Sequence, residues 1–326
     1  MTSSLLTIDV HLDPHDAAGA LRADVRNGLT ATPKWLPPKW FYDARGSRLF
    51  DAITRLPEYY PTRCERSILV SHATDIARMT SADTLVELGS GTSEKTRLLL
   101  DAFAASGRLA RFAPFDVSEQ TLREAAEAVH REYPGVAVHA VVGDFDRHLD
   151  RLPRGGRRCV AFLGGTIGNL LPAERTDFLE RVATGLAPGD SLLLGTDLVK
   201  DVDRLERAYD DAAGVTAEFN RNVLRVINRE LGADFVPERY EHIARFDPQQ
   251  EWIEMRLRAT EAMTVRIAEL DMAVEFTAGE DLRTEVSAKF RPEVVEAELG
   301  AAGLDLTGWW TDPGGNFALS LSVPGT

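Results

Sequence analysis

Residues 84–96 read TLVELGSGTSEKT. Thr84, Leu85, Val86 and Leu88 suit a buried parallel strand, Glu87 sits at its end, and Gly89 and Gly91 follow at once. Thr92 or Ser93 is expected to cap the helix that comes next. A strand, a glycine turn and a helix N-terminus together let a backbone approach a nucleotide-like ligand. The spacing E-x-G-x-G favours S-adenosylmethionine over a dinucleotide, whose turn would read G-x-G-x-x-G; Glu94 stands where the third glycine belongs. A plain strand-to-helix connection can use the same residues.

A sulfonium methyl donor is held at its methionyl end, its ribose and its adenine. Gly89 and Gly91 admit backbone to the methionyl end, and Lys95 is placed to pair with the donor carboxylate. Asp116 follows the second strand of this region and suits the ribose hydroxyls, because a carboxylate accepts two hydrogen bonds. Asp144 and Phe145 follow the third strand and offer adenine a carboxylate and an apolar wall. The competing role for strand-end aspartates is capping the next helix.

The elements that must position these residues alternate strand and helix from about Thr84 to Thr196. That rhythm predicts a parallel sheet covered by helices, with right-handed crossovers that put the strand C-termini on one edge. Asp116, Asp144, Gly164, Gly165 and Asp197 all fall at or just past strand ends. Residues 14–28 read as an amphipathic helix with Leu21, Val25 and Leu29 on one stripe. Residues 32–63 are rich in proline and aromatics, including Trp35, Trp40, Phe41, Tyr42, Phe50, Tyr59 and Tyr60. Their prolines preclude one long helix, which leaves packing filler or a pocket wall. Residues 201–246 are expected to be mainly helical. Residues 251–290 switch to period two, with Ile253, Met255 and Leu257 alternating with charged positions, as in an antiparallel, half-buried sheet. The tail LTGWWTDPGGNFALSLSV reads as a hairpin.

Composition narrows the function classes. The 326 residues, 44% of them hydrophobic, suffice for one large domain or two modest ones. A formal net charge of -14 argues against nucleic-acid or anionic-membrane partners. No apolar stretch approaches the ~20 residues that span a bilayer, and MTSSLLTIDVHLDP lacks the basic start and apolar core of a secretory signal. Cys64 and Cys159 make no disulfide framework, and the scattered histidines make no metal cluster. These features predict a cytoplasmic small-molecule enzyme without a metal.

Four longer segments, PPKWFYDARGSRLFDAITRLPEYYPTR, VELGSGTSEKTRLLLDA, FLGGTIGNL and TEVSAKFRPE, closely resemble the bacterial histidine Nα-methyltransferases of ergothioneine biosynthesis. The resemblance runs roughly from Leu21 to Leu321. It implies an α/β fold: a class I methyltransferase, Rossmann-like, doubly wound and mostly parallel sheet with a second α+β substrate-binding domain. The implied domains are 64–199 plus 289–326 for S-adenosylmethionine and 20–63 plus 200–288 for substrate. It implies trimethylation of the α-amino group of L-histidine to hercynine; a monomer is expected, although the sequence does not give oligomeric state. Carried over by position, the donor site is Gly89, Lys95, Asp116, Asp144, Phe145 and Gly164. The histidine site is Tyr42, Tyr59, Asn169, Tyr209, Thr216, Met255, Glu285 and Ser287, with Tyr42 and Asn169 as the catalytic candidates. Gly165 departs from the serine common in relatives and leaves the named contacts intact.

The residues support the acceptor independently. Glu285, Ser287 and Lys289 alternate, so Glu285 and Ser287 can converge on one ring. An imidazole has two nitrogens; a carboxylate serves one and a hydroxyl the other. Without the family, a surface-facing polar strand edge would read the same way. The competing functions are a methyltransferase for another amino acid such as tryptophan, a non-catalytic S-adenosylmethionine-binding protein, and a dehydrogenase.

Overall fold

The computed structural model describes residues 5–325. Along the chain run strands β1 (Leu6–Val10), β2 (Lys34–Trp35), β3 (Thr84–Leu88), β4 (Arg111–Asp116), β5 (Ala137–Val142), β6 (Arg158–Phe162), β7 (Ser191–Asp197), β8 (Tyr240–Asp247), β9 (Trp252–Ala259), β10 (Met263–Ile267), β11 (Met272–Phe276), β12 (Asp281–Ala288), β13 (Leu304–Thr311) and β14 (Phe317–Pro324). The helices are α1 (Pro14–Thr30), α2 (Ala44–Ile53), α3 (Pro61–Thr80), α4 (Thr96–Ala105), α5 (Glu119–Glu132), α6 (Phe145–His148), α7 (Pro172–Gly185), α8 (Val202–Tyr209), α9 (Val215–Leu231) and α10 (Pro292–Ala301). None of the described helices is long and apolar enough to cross a membrane. The chain divides into two compact units.

The first unit comprises the described parts of Met1–Leu12, Pro61–Val199 and Phe290–Thr326. Its eight-stranded sheet runs β1-β5-β4-β3-β6-β7-β14-β13, parallel from β1 through β7 and antiparallel at β14 and β13. The chain winds outward in both directions from the β3–β6 pair, and the crevice at such a reversal is where open α/β sheets take ligands. All five β3 side chains are buried, as a strand covered on both faces requires. Leu85, Phe103, Phe112, Leu122 and Val129 share the core between this sheet and α3, α4 and α5. Edge strand β1 was not foreseen: its five residues are too few for period two to stand out.

The second unit comprises Asp13–Tyr60 and Lys200–Lys289. Its four-stranded sheet runs β2-β12-β9-β8, and β10–β11 forms a separate hairpin. Helix α1 buries Leu21, Val25 and Leu29, the stripe expected from the sequence. Helix α9 packs on β8 and β9. The stretch expected to be mainly helical up to residue 246 instead ends in strand β8. Its alternation was disguised because His242 takes a buried position on that strand.

Candidate active site

In the first unit, the backbone turn after β3 is held by the protein's own hydrogen bonds. Gly89 and Ser90 N–H both donate to Phe115 O, at 2.8 and 3.1 Å. Gly91 N–H donates to Asp116 Oδ2 at 2.8 Å, and Ser118 N–H to Asp116 Oδ1 at 2.9 Å. Gly89 stands at φ 67°, in the left-handed region that glycine adopts without strain, and a Cβ there would sit 3.4 Å from the Phe145 ring. Desolvation raises the Asp116 pKa, and the N–H groups of Ser118, Gly91 and Val117 oppose that rise. Neither Thr92 nor Ser93 caps α4; Lys95 takes that position, with no side-chain cap.

Glu87 is buried, with one carboxyl oxygen bonded to the Thr96 hydroxyl and the other, Oε2, without a partner among the described residues. Burial pushes its pKa up to about 8; Thr96 and Lys95 lower it, and Glu65 and Asp116 raise it. Ser90 Oγ and Ser93 Oγ likewise make no hydrogen bond among the described residues. The turn's backbone N–H groups are engaged, but its side chains keep unused polar capacity, which fits a polar ligand such as S-adenosylmethionine.

Lys95 is held by a residue missing from the sequence-derived site. Glu65 on α3 is fully buried, accepts from Gly164 N–H at 2.7 Å and pairs with the Lys95 ammonium. One carboxylate thus ties Lys95 to Gly164, two donor-site candidates from different loops. The signal was available: Glu65 lies three and four residues before Ile68 and Leu69 on the buried stripe of α3, where an acid needs a partner. Phe145 stacks on Phe115 at 5.4 Å and meets Phe162 edge-on at 5.4 Å, so its ring is braced as a wall. Asp144 N–H donates to His148 Nδ1 at 3.1 Å. Asn169 ends a short 3-10 turn, Thr166–Asn169, beyond β6.

The other candidates lie in the second unit. Tyr42, half-buried, touches Phe50 and Phe219 edge-on at 5.6 and 5.5 Å. Phe50 reaches Tyr59 at 6.3 Å, and Tyr59 reaches Tyr209 at 6.3 Å. The aromatic segment is therefore a connected wall that continues onto α8. Asn222 of α9 fixes Tyr42 from both sides, donating to Phe41 O at 3.1 Å and to Asp43 Oδ1 at 2.8 Å. Gly46 is required there, since a Cβ would lie 1.7 Å from Phe41 O.

Ser287 Oγ lies 2.7 Å from Tyr209 OH, and the Lys289 ammonium donates to both, at 2.7 and 2.9 Å. Lys289 is buried and belongs to this cluster, although it was absent from the sequence-derived site. Glu285 is buried, at 8% exposed. Burial pushes its carboxyl up to about 8, only partly opposed by Lys289. Met255 is its direct cross-strand neighbour. Thr216 is buried at the start of α9, its N–H donating to Asp211 Oδ1 at 2.7 Å. The second unit thus gathers Tyr42, Tyr59, Tyr209, Met255, Glu285 and Ser287, whereas Asn169 belongs to the first.

Residues 21–324 match the model of the family described as histidine-specific methyltransferase, SAM-dependent. The histidine N-alpha-methyltransferase of Mycolicibacterium smegmatis is 62% identical over 98% of this chain and 99% of its own length. That of Mycobacterium tuberculosis is 60% identical over 96% of this chain and 98% of its own. The ergothioneine biosynthesis protein 1 of Neurospora crassa is 31% identical over 89% of this chain, which spans 33% of that protein. Among solved structures, a Streptomyces caelestis methyltransferase aligns with a TM-score of 0.49 at 17% identity, covering 87% of this chain and 100% of its own. The extent of the family match and the identity to two full-length relatives settle the matter: this chain belongs to the S-adenosylmethionine-dependent, histidine-specific methyltransferases.

Proposed function

We propose that the protein trimethylates the α-amino group of L-histidine to hercynine, the first step of ergothioneine biosynthesis. The observation that carries this reading is the buried Glu285 carboxyl on the strand that also carries Ser287, with the Lys289 charge only partly opposing its desolvation. Burying a carboxyl is costly, and a hydrogen bond from an imidazole would relieve that cost. Ser287 keeps hydrogen-bonding capacity beyond Tyr209 and Lys289 for the second ring nitrogen. An indole, with one N–H and no acceptor, leaves this set half used, which disfavours tryptophan.

S-adenosylmethionine, when bound, supplies the methyl group on a sulfonium; the chain's own residues hold and orient. Gly89, Lys95, Asp116, Asp144, Phe145 and Gly164 are the residues that would hold it, through the turn and wall described above. The attacking amine must be neutral, so a carboxylate beside it would oppose reaction by raising its pKa. Placing Glu285 at the imidazole end avoids that conflict. Tyr42 and Asn169 are assigned to the amine and carboxylate of the substrate, Thr216 and Met255 to the remaining wall. Each added methyl removes an N–H and moves the amine toward a fixed cation. The faces of Tyr42 and Tyr59 tolerate that cation through attraction worth ~0.5–2 kcal/mol. We extend the reading to a monomeric cytoplasmic enzyme, on the support of its net charge of -14.

Calorimetry of Glu285→Ala tests the assignment. Binding of L-histidine should weaken by at least about tenfold while S-adenosylmethionine binding stays at the parent value. Equal loss of both ligands overturns it.

A further inference from the structure

The pairing of β12 with β9 contains a register shift. Arg283 faces Arg256, yet Glu285 faces Met255, so Thr284 is an extra residue without a partner of its own. Adjacent residues of β9 point to opposite faces. Strict alternation would set Glu285 on the Arg283 face and opposite Glu254, acid against acid. The bulge instead turns Glu285 to the Met255 side, where Met255 is 2% exposed.

A closed chain of hydrogen bonds holds that bulge. Thr284 Oγ1 lies 2.6 Å from Asn220 Oδ1 and 3.0 Å from Met255 O. Asn220 Nδ2 donates to His242 Nδ1 at 2.9 Å and to Arg256 O at 3.1 Å. His242 Nε2 lies 2.8 Å from Tyr209 O. A carbonyl only accepts, so Nε2 carries the proton, Nδ1 accepts, and the ring is neutral. Burial, which holds the His242 pKa below its usual value, agrees with that tautomer. Thr284, Asn220 and His242 are all buried, and each polar atom of the chain is used. A fully satisfied buried network rigidifies what it joins. Here it joins the bulge beside Glu285 to the backbone of Tyr209, whose hydroxyl meets Ser287.

We propose that Thr284, clamped by Asn220 and His242, is a positioning residue that sets acceptor specificity by aiming Glu285 at the imidazole. This rests on the acceptor reading above. Thr284→Val keeps the shape and removes the hydroxyl. The dissociation constant and KM for L-histidine should rise about tenfold, with kcat within about threefold of the parent. The preference for L-histidine over L-phenylalanine should narrow by a similar factor. Thr284→Ser should restore parent values, and S-adenosylmethionine affinity should not move in either variant. In a Glu285→Gln background, adding Thr284→Val should change L-histidine affinity by less than about twofold, since no carboxylate remains to be aimed. A merely structural role would give the same loss in both backgrounds. If Thr284→Val does not fold, Asn220→Asp keeps the acceptor for Thr284 and removes the donor to His242; the same rise in KM is expected. Parent-like L-histidine affinity in the hydroxyl-deleted protein, or full additivity with Glu285→Gln, overturns the proposal while leaving the acceptor reading standing. Failure of the parent to methylate L-histidine removes that reading first and this inference with it.

Discussion

Glu285→Gln should stabilise the protein, by an amount that grows with pH. In the folded chain burial pushes the Glu285 carboxyl up to about 8, against an ordinary value of 4.5. Between those two values the folded state keeps a proton that the unfolded state has released. Stability therefore falls as pH rises through this window, at about 1.4 kcal/mol per pH unit, and levels off above about pH 8. The ceiling is about 5 kcal/mol, and glutamine, which cannot ionise, escapes it. At roughly 2–4 °C per kcal/mol, the Tm gap between variant and parent should widen by on the order of 10 °C from about pH 5 to about pH 9. Glu87, also pushed up to about 8, contributes the same slope to both proteins and cancels in the difference. Scanning calorimetry across that range reads the gap directly. Saturating L-histidine should shrink it, because an imidazole partner offsets the desolvation. A gap that is constant with pH, or narrows as pH rises, refutes the claim that burial keeps this carboxyl protonated.

Two further perturbations separate the donor turn from the general framework. Asp116→Asn turns an amide N–H toward Gly91 or Ser118, whose own N–H groups now donate to the carboxylate; S-adenosylmethionine affinity should fall by at least about tenfold in calorimetry, with L-histidine affinity retained. Asp190→Asn breaks a buried pair in which Arg158 donates through Nε at 2.9 Å and Nη2 at 2.6 Å; the cost of about 3–5 kcal/mol should lower Tm by on the order of 10 °C without changing donor specificity.

The donor half was the more legible part of the sequence, for a physical reason. A strand buried on both faces, followed by a glycine turn, leaves a run of apolar residues and a break that few other structures need. Thr84–Leu88 with Gly89 and Gly91 was therefore readable at once. Glu65 escaped because its meaning depends on Lys95 and Gly164, which are distant in sequence and meet only after folding. The acceptor strand was half readable. Alternation correctly joined Glu285 to Ser287, but the same rule sends Arg283 to their face, and only the register shift at Thr284 separates them. A bulge leaves no mark on hydrophobic period, and Asn220 and His242, which hold it, come from α9 and β8.

The most direct test of the central claim is the product formed from L-histidine. Purified protein incubated with S-adenosylmethionine and L-histidine should yield mass gains of one, two and finally three methyl groups, all on the α-nitrogen. No methyl gain, gain on an imidazole nitrogen, or equal methylation of another free amino acid contradicts the account.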